Sequence, residues 1–400
     1  MLLPGTWQTD GDTALRIIYL DNAASTWPKP PGVAEAAARM IAECAAGPGR
    51  GNHRMALAAG RVLMETRMLL ARLFGIRNPA DIAFAANATA ALNLAIKGYL
   101  KPGDHVVSTS LEHNSVRRPL AEMERKYGIK TTYVQADREG RLDLKAFEAA
   151  FRPNTALVVC THASNLLGSV LPVGDMAAIA RRHGARILVD AAQTAGSRPI
   201  DVEALGIDML AFPGHKGLFG PQGTGGLYVH PDIELEPLVH GGTGSQSEIS
   251  RMPDVRPDRY EGGTPNVPGI AGLGEGVRFV LERTPEAIRQ HEDRLTGLMM
   301  DGLTAIPGIR VLGPKPGAER AGLVSFTAET VESAEMAHLL DRHYGIAVRA
   351  GYHCTPLGHE TAGTIGIGAV RASVSCMNTE DDVQALVEAV RDIVRGAVRA

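Results

Sequence analysis

Between roughly residues 80 and 230, short apolar runs alternate with amphipathic stretches. The runs fall at 81–86, 105–110, 131–135, 156–161, 186–191, 209–212 and 226–230. Helical patterns at 115–127, 144–151 and 175–183 lie between several of them. Near-continuous apolar strands separated by helices predict a mainly parallel sheet covered on both faces. Such sheets bind ligands outside the carboxyl ends of their strands. Polar residues that directly follow a strand are therefore the first candidates for chemistry.

The rest of the chain sets bounds. Its 400 residues, 44% of them hydrophobic, can fill one large domain and one smaller one. A Gly/Pro-rich stretch at 240–276 reads as a long functional loop leaving the large domain. A single long helical pattern at 267–306 follows, then short strands at 323–327 and 346–349 and a final helix at 379–398. The expected division is a large domain at 20–268 and a small α+β domain at 269–400, with residues 1–19 packed against the latter. The net charge of −3, with no basic stripe, gives no support for nucleic-acid binding. No apolar run suits a bilayer and the start does not read as a signal peptide, so no membrane partner is expected and cytoplasmic residence is. Cys44, Cys160, Cys354 and Cys376 are scattered without a C-x-x-C pair, which argues against a disulfide framework and a zinc site. No metal is expected. An isolated cysteine in such a chain is ordinarily a small buried hydrophobe.

Four strand ends carry polar residues. Asn87-Ala88-Thr89 opens a helical run at 90–100, and a helix N-terminus offers free N–H groups to a phosphate. Taken alone, Thr89 reads more simply as the N-cap. Glu112-His113-Asn114 follows the strand ending at Ser110; His113 gains weight only from its neighbours. Asp190 ends an apolar strand, with Gln193 three residues on. A buried carboxylate needs a partner, and a protonated pyridine nitrogen is one. Capping a short helix from Ala191 is the equal alternative. Gly214-His215-Lys216-Gly217 puts a lysine after a buried strand, where desolvation favours a Schiff base. A nucleotide P-loop is excluded, because Gly217 stands where Ser or Thr is required. Together these ends offer a phosphate cup, a ring-stacking group, a pyridinium partner and an imine-forming lysine. That set calls for pyridoxal 5'-phosphate (PLP).

The motifs extend beyond these ends. They include Tyr19-Leu20-Asp21-Asn22-Ala23-Ala24-Ser25-Thr26, Thr161-His162-Ala163-Ser164-Asn165, Val189-Asp190-Ala191-Ala192-Gln193 and Val370-Arg371-Ala372-Ser373. With Gly214-His215-Lys216, they make the chain resemble the class V aminotransferase family of fold-type I PLP enzymes, in its cysteine desulfurase / selenocysteine lyase branch. The resemblance implies a fold-type I PLP-dependent transferase, an α/β sheet sandwiched by helices with a smaller α+β C-terminal domain. It gives Lys216 the imine, Asp190 the pyridine nitrogen, and Gln193 and Asn165 the neighbourhood of the phenolic oxygen. His113 would stack on the ring and shuttle protons. Ala88, Thr89 and His215 would hold the phosphate. Thr264, in Gly262-Gly263-Thr264-Pro265-Asn266, would reach the phosphate of a neighbouring subunit, which implies a homodimer.

In Arg349-Ala350-Gly351-Tyr352-His353-Cys354, the resemblance makes Cys354 the nucleophile toward the sulfur of L-cysteine. Alanine and an enzyme persulfide would result. The sulfur would pass to an acceptor protein, with iron–sulfur cluster assembly one destination. Arg371 would bind the substrate carboxylate, an apt match for a guanidinium fork, with Arg349 and His353 nearby. A protonated His353 would lower the thiol pKa. Arg50 and His53 resemble a further active-site loop. One departure stands out: where the family often has Ser before Gly-His-Lys, this chain has Pro213, which lacks a side-chain donor and an N–H. A selenocysteine lyase, an epimerase, a transaminase and a non-catalytic scaffold remain open alternatives. A dinucleotide-binding dehydrogenase does not, for no G-x-G-x-x-G opens the first strand–helix turn.

Overall fold

The computed structural model describes residues 16–44, 46–49 and 51–396. Its first half runs β1 (Ile18–Tyr19), α1 (Val33–Glu43), α2 (Arg54–Phe74), β2 (Ile82–Ala85), α3 (Ala88–Tyr99), β3 (His105–Thr109), α4 (Asn114–Tyr127), β4 (Lys130–Val134), α5 (Leu144–Ala149), β5 (Thr155–Thr161), α6 (Val173–Arg182), β6 (Arg186–Asp190), β7 (Met209–Pro213) and β8 (Gly225–Val229). Its second half runs α7 (Val267–Arg283), α8 (Pro285–Thr304), β9 (Ile309–Val311), β10 (Leu323–Ala328), α9 (Ser333–Tyr344), β11 (Ile346–Ala347), β12 (Arg349–Gly351), α10 (Pro356–Ala362), β13 (Ala369–Ser373) and α11 (Glu380–Val394).

Seven strands form the main sheet in the order β2-β8-β7-β6-β5-β3-β4. Only β8 runs against its neighbours. Side chains alternate across the sheet, as the two-residue period requires. Val158, Cys160, Ile187, Val189, Leu210 and Phe212 enter one core with residues of α2, α6 and α7. Leu157, Val159, Leu188, Met209 and Ala211 enter the other with α3 and α4. Both faces are thus covered, which is why these strands read as continuous apolar runs.

The second core is built on an antiparallel sheet, β12-β13-β10-β9, with α8, α9 and α11. β1 pairs in parallel with β11, Ile18 opposite Ile346. The expected packing of residues 1–15 lies outside the described residues.

Three sequence expectations are corrected. The helical stretch at 267–306 is two helices, broken at Thr284 with φ +66°. Pro285 cannot continue α7, and the Thr284 hydroxyl accepts the Ala287 N–H to cap α8. Leu273 and Val277 of α7 belong to the large core, whereas Leu295 and Met299 of α8 belong to the small one. The two cores therefore meet between α7 and α8, at Thr284. The loop expected to run to 276 ends at Asn266, whose side chain caps α7 by accepting the Gly269 N–H. The single strand at 346–349 is two strands, β11 and β12, in different sheets.

Candidate active site

β2, β3, β5, β6 and β7 are parallel, so their carboxyl ends share one edge of the sheet. There a cavity of about 220 Å³ opens. Of the sequence candidates, the structure brings Ala88, Thr89, His113, Asn165, Asp190, Gln193, His215, Lys216, Arg349, His353 and Arg371 together around it.

At the start of α3, Asn87 is the N-cap: its side chain accepts the Ala90 N–H at 2.9 Å. Thr89 is the second helical residue, so the N-cap reading of Thr89 is replaced. Among the described residues, no protein acceptor takes the N–H of Ala88 or Thr89. These free donors and the helix dipole face an anion-sized space. Gly225 permits this approach. A Cβ there would sit 2.6 Å from the Phe212 carbonyl oxygen and 3.1 Å from Asn87 Cα.

His113 caps α4. Its Nδ1 accepts the Ser115 N–H at 3.0 Å, so Nε2 carries the proton of the neutral ring. Burial, helped by the charge of Lys216, lowers its pKa to about 4. Asp190 is 3% exposed. One of its oxygens accepts the Ala192 N–H at 2.9 Å, in a turn rather than a helix. Burial raises its pKa, outweighing the Ala192 N–H bond and the charge of Lys216, which lower it.

Lys216 follows β7. Burial first, and the charge of Arg371 second, lower its ammonium to about 8. The turn that carries it is held from the N-terminal segment. The Thr26 N–H and the Lys29 ammonium both donate to the His215 carbonyl at 3.0 Å, and the Thr26 hydroxyl donates to the Lys216 carbonyl at 3.0 Å. Thr26 and Lys29 were not among the sequence candidates, although Thr26 ends the first motif.

Arg371, 1% exposed on β13, donates from Nη1 to the Asn165 carbonyl at 2.9 Å and from Nη2 to Asp21 Oδ1 at 3.0 Å. Its Nε is buried without a partner among the described residues.

Cys354 is exposed and stands outside the residues that line the cavity, beside Arg349 and His353, which do line it. His353 and Cys354 have φ of +49° and +59°. Two such non-glycine residues cost on the order of 1–3 kcal/mol each and need outside support. Asn165 supplies it by donating Nδ2–H to the His353 carbonyl at 2.6 Å, and Asn114 by donating N–H to the Cys354 carbonyl at 2.8 Å. The Thr355 hydroxyl donates to the Glu112 carbonyl at 3.1 Å. The expected protonated His353 is overturned. Burial drives its pKa to about 3, and Nε2 donates to the Ala369 carbonyl at 3.0 Å. The cation beside the thiol is Arg349, with Nη2 3.9 Å from Sγ.

Three candidates stay apart. Thr264 lines a separate cavity of about 340 Å³ with Gly49 and Arg67. His53 caps α2 by accepting the Ala56 N–H. Arg50 lies outside the described residues. A larger cleft of about 820 Å³ lies near Arg198 and Arg289. Within it Arg198 pairs with Asp293 and Glu319, and Arg289 with Asp293 and Glu286.

Glu112, just before His113, is fully buried, and its Oε2 has no partner among the described residues. Burial raises its pKa to about 8, against an ordinary 4.5. The folded chain therefore binds a proton that the unfolded chain releases, and stability falls as pH rises between those values. Glu112→Gln mimics the protonated form. It should raise Tm by a few degrees near pH 9 and by less than about 1 °C near pH 5, read by calorimetry. An equal shift at both pH values would contradict the assignment.

A family model for class V aminotransferases matches residues 18–386. The chain belongs to the class V aminotransferase family. A Methanothermobacter thermautotrophicus protein named "Probable cysteine desulfurase" is 37% identical over 388 residues, covering 94% of each chain. A cysteine desulfurase of Haloferax volcanii is 33% identical, covering 95% of this chain and 90% of its own. The apo structure of a cysteine desulfurase from Thermococcus onnurineus superposes with a TM-score of 0.90 at 33% identity, covering 95% of each chain. Membership of the class V family accounts for the sheet order and the small C-terminal core, and the fold is that of fold-type I.

Proposed function

We propose that this chain is a PLP-dependent cysteine desulfurase, which converts L-cysteine to L-alanine and takes the sulfur onto Cys354. The observation that carries the reading is the convergence of Lys216, Asp190 and the free α3 N–H groups on one cavity, with Cys354 exposed beside it. The similarity to cysteine desulfurases over most of the chain supports the same reading.

The residues present fit the cofactor. Ala88, Thr89 and His215, whose Nδ1 is buried without a partner, suit the phosphate. Asp190 suits a ring-nitrogen cation, which would return its carboxyl to the ionised form. Gln193 and Asn165 suit the phenolic oxygen, and His113 the ring face. When bound, PLP supplies an electron sink for charge developing at the substrate Cα. Lys216, with its ammonium lowered to about 8, can hold and return the Cα proton near neutral pH. Cys354, with Arg349 Nη2 3.9 Å from Sγ, would attack the substrate sulfur as its thiolate.

Arg371 suits the substrate carboxylate, because its Nε remains unpartnered in a buried site. Arg371→Lys should raise KM for cysteine by roughly tenfold to a hundredfold with a smaller change in kcat. Initial rates over a range of cysteine concentrations check this. An unchanged KM would remove Arg371 from the substrate site.

Ile41, Leu57, Met64, Met68 and Val239 are exposed apolar side chains on α1, α2 and the loop that precedes Thr264. These exposed apolar side chains support a homodimer, in which Thr264 would reach the neighbour's cavity. Light scattering should give twice the 42.4 kDa chain mass; a monomer at micromolar concentration would count against it. Exposed Cys354 suits transfer of sulfur to an acceptor protein, with iron–sulfur cluster assembly a fitting destination. The free thiols of all four cysteines suit a reducing cytoplasm.

The test is direct. Purified protein loaded with PLP should release alanine and sulfide from cysteine in equal amounts under a thiol reductant. Absence of both products overturns the reading.

A further inference from the structure

Pro213 lines the cavity beside Ala88, Thr89 and His215. It offers this corner neither a hydroxyl nor an N–H. The same corner holds a hydroxyl that the motifs did not single out. Ser115, the second residue of α4, is 9% exposed and also lines the cavity. Its Oγ lies 2.7 Å from the Thr89 hydroxyl and 2.9 Å from His113 Nδ1.

An imidazole Nδ1 has one in-plane lone pair, so the Ser115 N–H at 3.0 Å and the Ser115 hydroxyl at 2.9 Å compete for it. The Thr89 oxygen, 2.7 Å away, is the other acceptor within reach of the Ser115 hydroxyl. Thr89 has no other side-chain partner among the described residues, so an anion at the α3 N-terminus would take the Thr89 proton and leave the Thr89 oxygen to accept from Ser115. The result is an ordered chain, Ser115 O–H to Thr89 Oγ, then Thr89 O–H to an anion at the α3 N-terminus. Donor chains of this kind strengthen along their length when the final acceptor is charged.

We propose that Ser115 belongs to the phosphate cup and restores, through Thr89, donor strength absent at Pro213. This rests on the reading of the cavity as a PLP site. It adds a residue that acts by polarising Thr89, and so is a positioning residue.

The experiment is equilibrium binding of PLP and of pyridoxal, which lacks the phosphate, followed by protein fluorescence. Ser115→Ala should weaken PLP binding about tenfold and leave pyridoxal binding unchanged. Pro213→Ser in the Ser115→Ala background should recover most of the lost affinity. It places a hydroxyl on the same corner, and it tests the idea even if Ser115→Ala proves less stable. The ³¹P resonance of bound PLP should move in Ser115→Ala. An equal loss for PLP and pyridoxal would assign Ser115 a structural role through His113 and overturn the inference. So would unchanged PLP affinity in Ser115→Ala. If the parent chain takes up no PLP at all, the proposed function falls, and this inference with it.

Discussion

Lys216→Ala should lower alanine formation from cysteine by at least about a thousandfold, because the substitution removes both the imine-forming amine and the base at Cα. The visible imine absorbance of the loaded protein should vanish, while PLP is retained more weakly through the phosphate cup and Asp190. The effect is large because nothing else in the cavity can substitute. Lys29 is the other lysine in this region, but its ammonium is held by the Thr26 hydroxyl and the His215 carbonyl. Lys216→Arg should be equally inactive although it keeps a cation. A guanidinium does not form the imine and stays protonated. Steady alanine release by either variant would remove Lys216 from the chemistry.

Cys354→Ala should also abolish alanine formation from cysteine, again by about a thousandfold or more. Its second signature is different. Cys354 is not among the residues that line the cavity, so PLP affinity and the imine absorbance should stay at parental levels. The two variants thus separate the cofactor lysine from the sulfur nucleophile. Mass spectrometry of the parent, quenched during turnover without reductant, should show one added sulfur on the peptide containing Cys354. Full activity on cysteine in Cys354→Ala would exclude the persulfide route through Cys354, whereas cleavage of selenocysteine alone, unchanged by the substitution, would favour a selenocysteine lyase. The pH profile bears on the same point. His353 is neutral throughout the working range, so no His353 ionisation should appear in it.

Much of this was legible in the sequence. The seven strands of the main sheet fall within one residue of the runs read from the sequence, and the inner ones do so because strands buried on both faces leave an uninterrupted signal. The cavity residues were legible for a related reason: a parallel sheet brings the residues at its strand ends to one edge. The features that escaped the sequence depended on long-range packing. The break at Thr284 is a local proline signal, but assigning α7 to the large core needed its contacts with that core. The Thr89 cap was misplaced by two residues because Asn87 and Thr89 have similar capping chemistry. The charge of His353 could not be read, since it is set by burial beneath β13 rather than by its neighbours in sequence. Ser115 went unnoticed because a serine near a helix start is ordinarily a cap.

The segment from β1 to Lys29 works as a strap across the molecule. At one end β1 is stitched to β11 of the small domain. At the other, Thr26 and Lys29 grip the two carbonyls around Lys216. Midway, Asp21 holds Arg371. A rotation of the small domain would therefore pull on the lysine turn, and a carboxylate drawing Arg371 away from Asp21 would slacken the strap at its centre. Under the proposed function, recognition of substrate and placement of the reactive lysine would be one mechanical linkage.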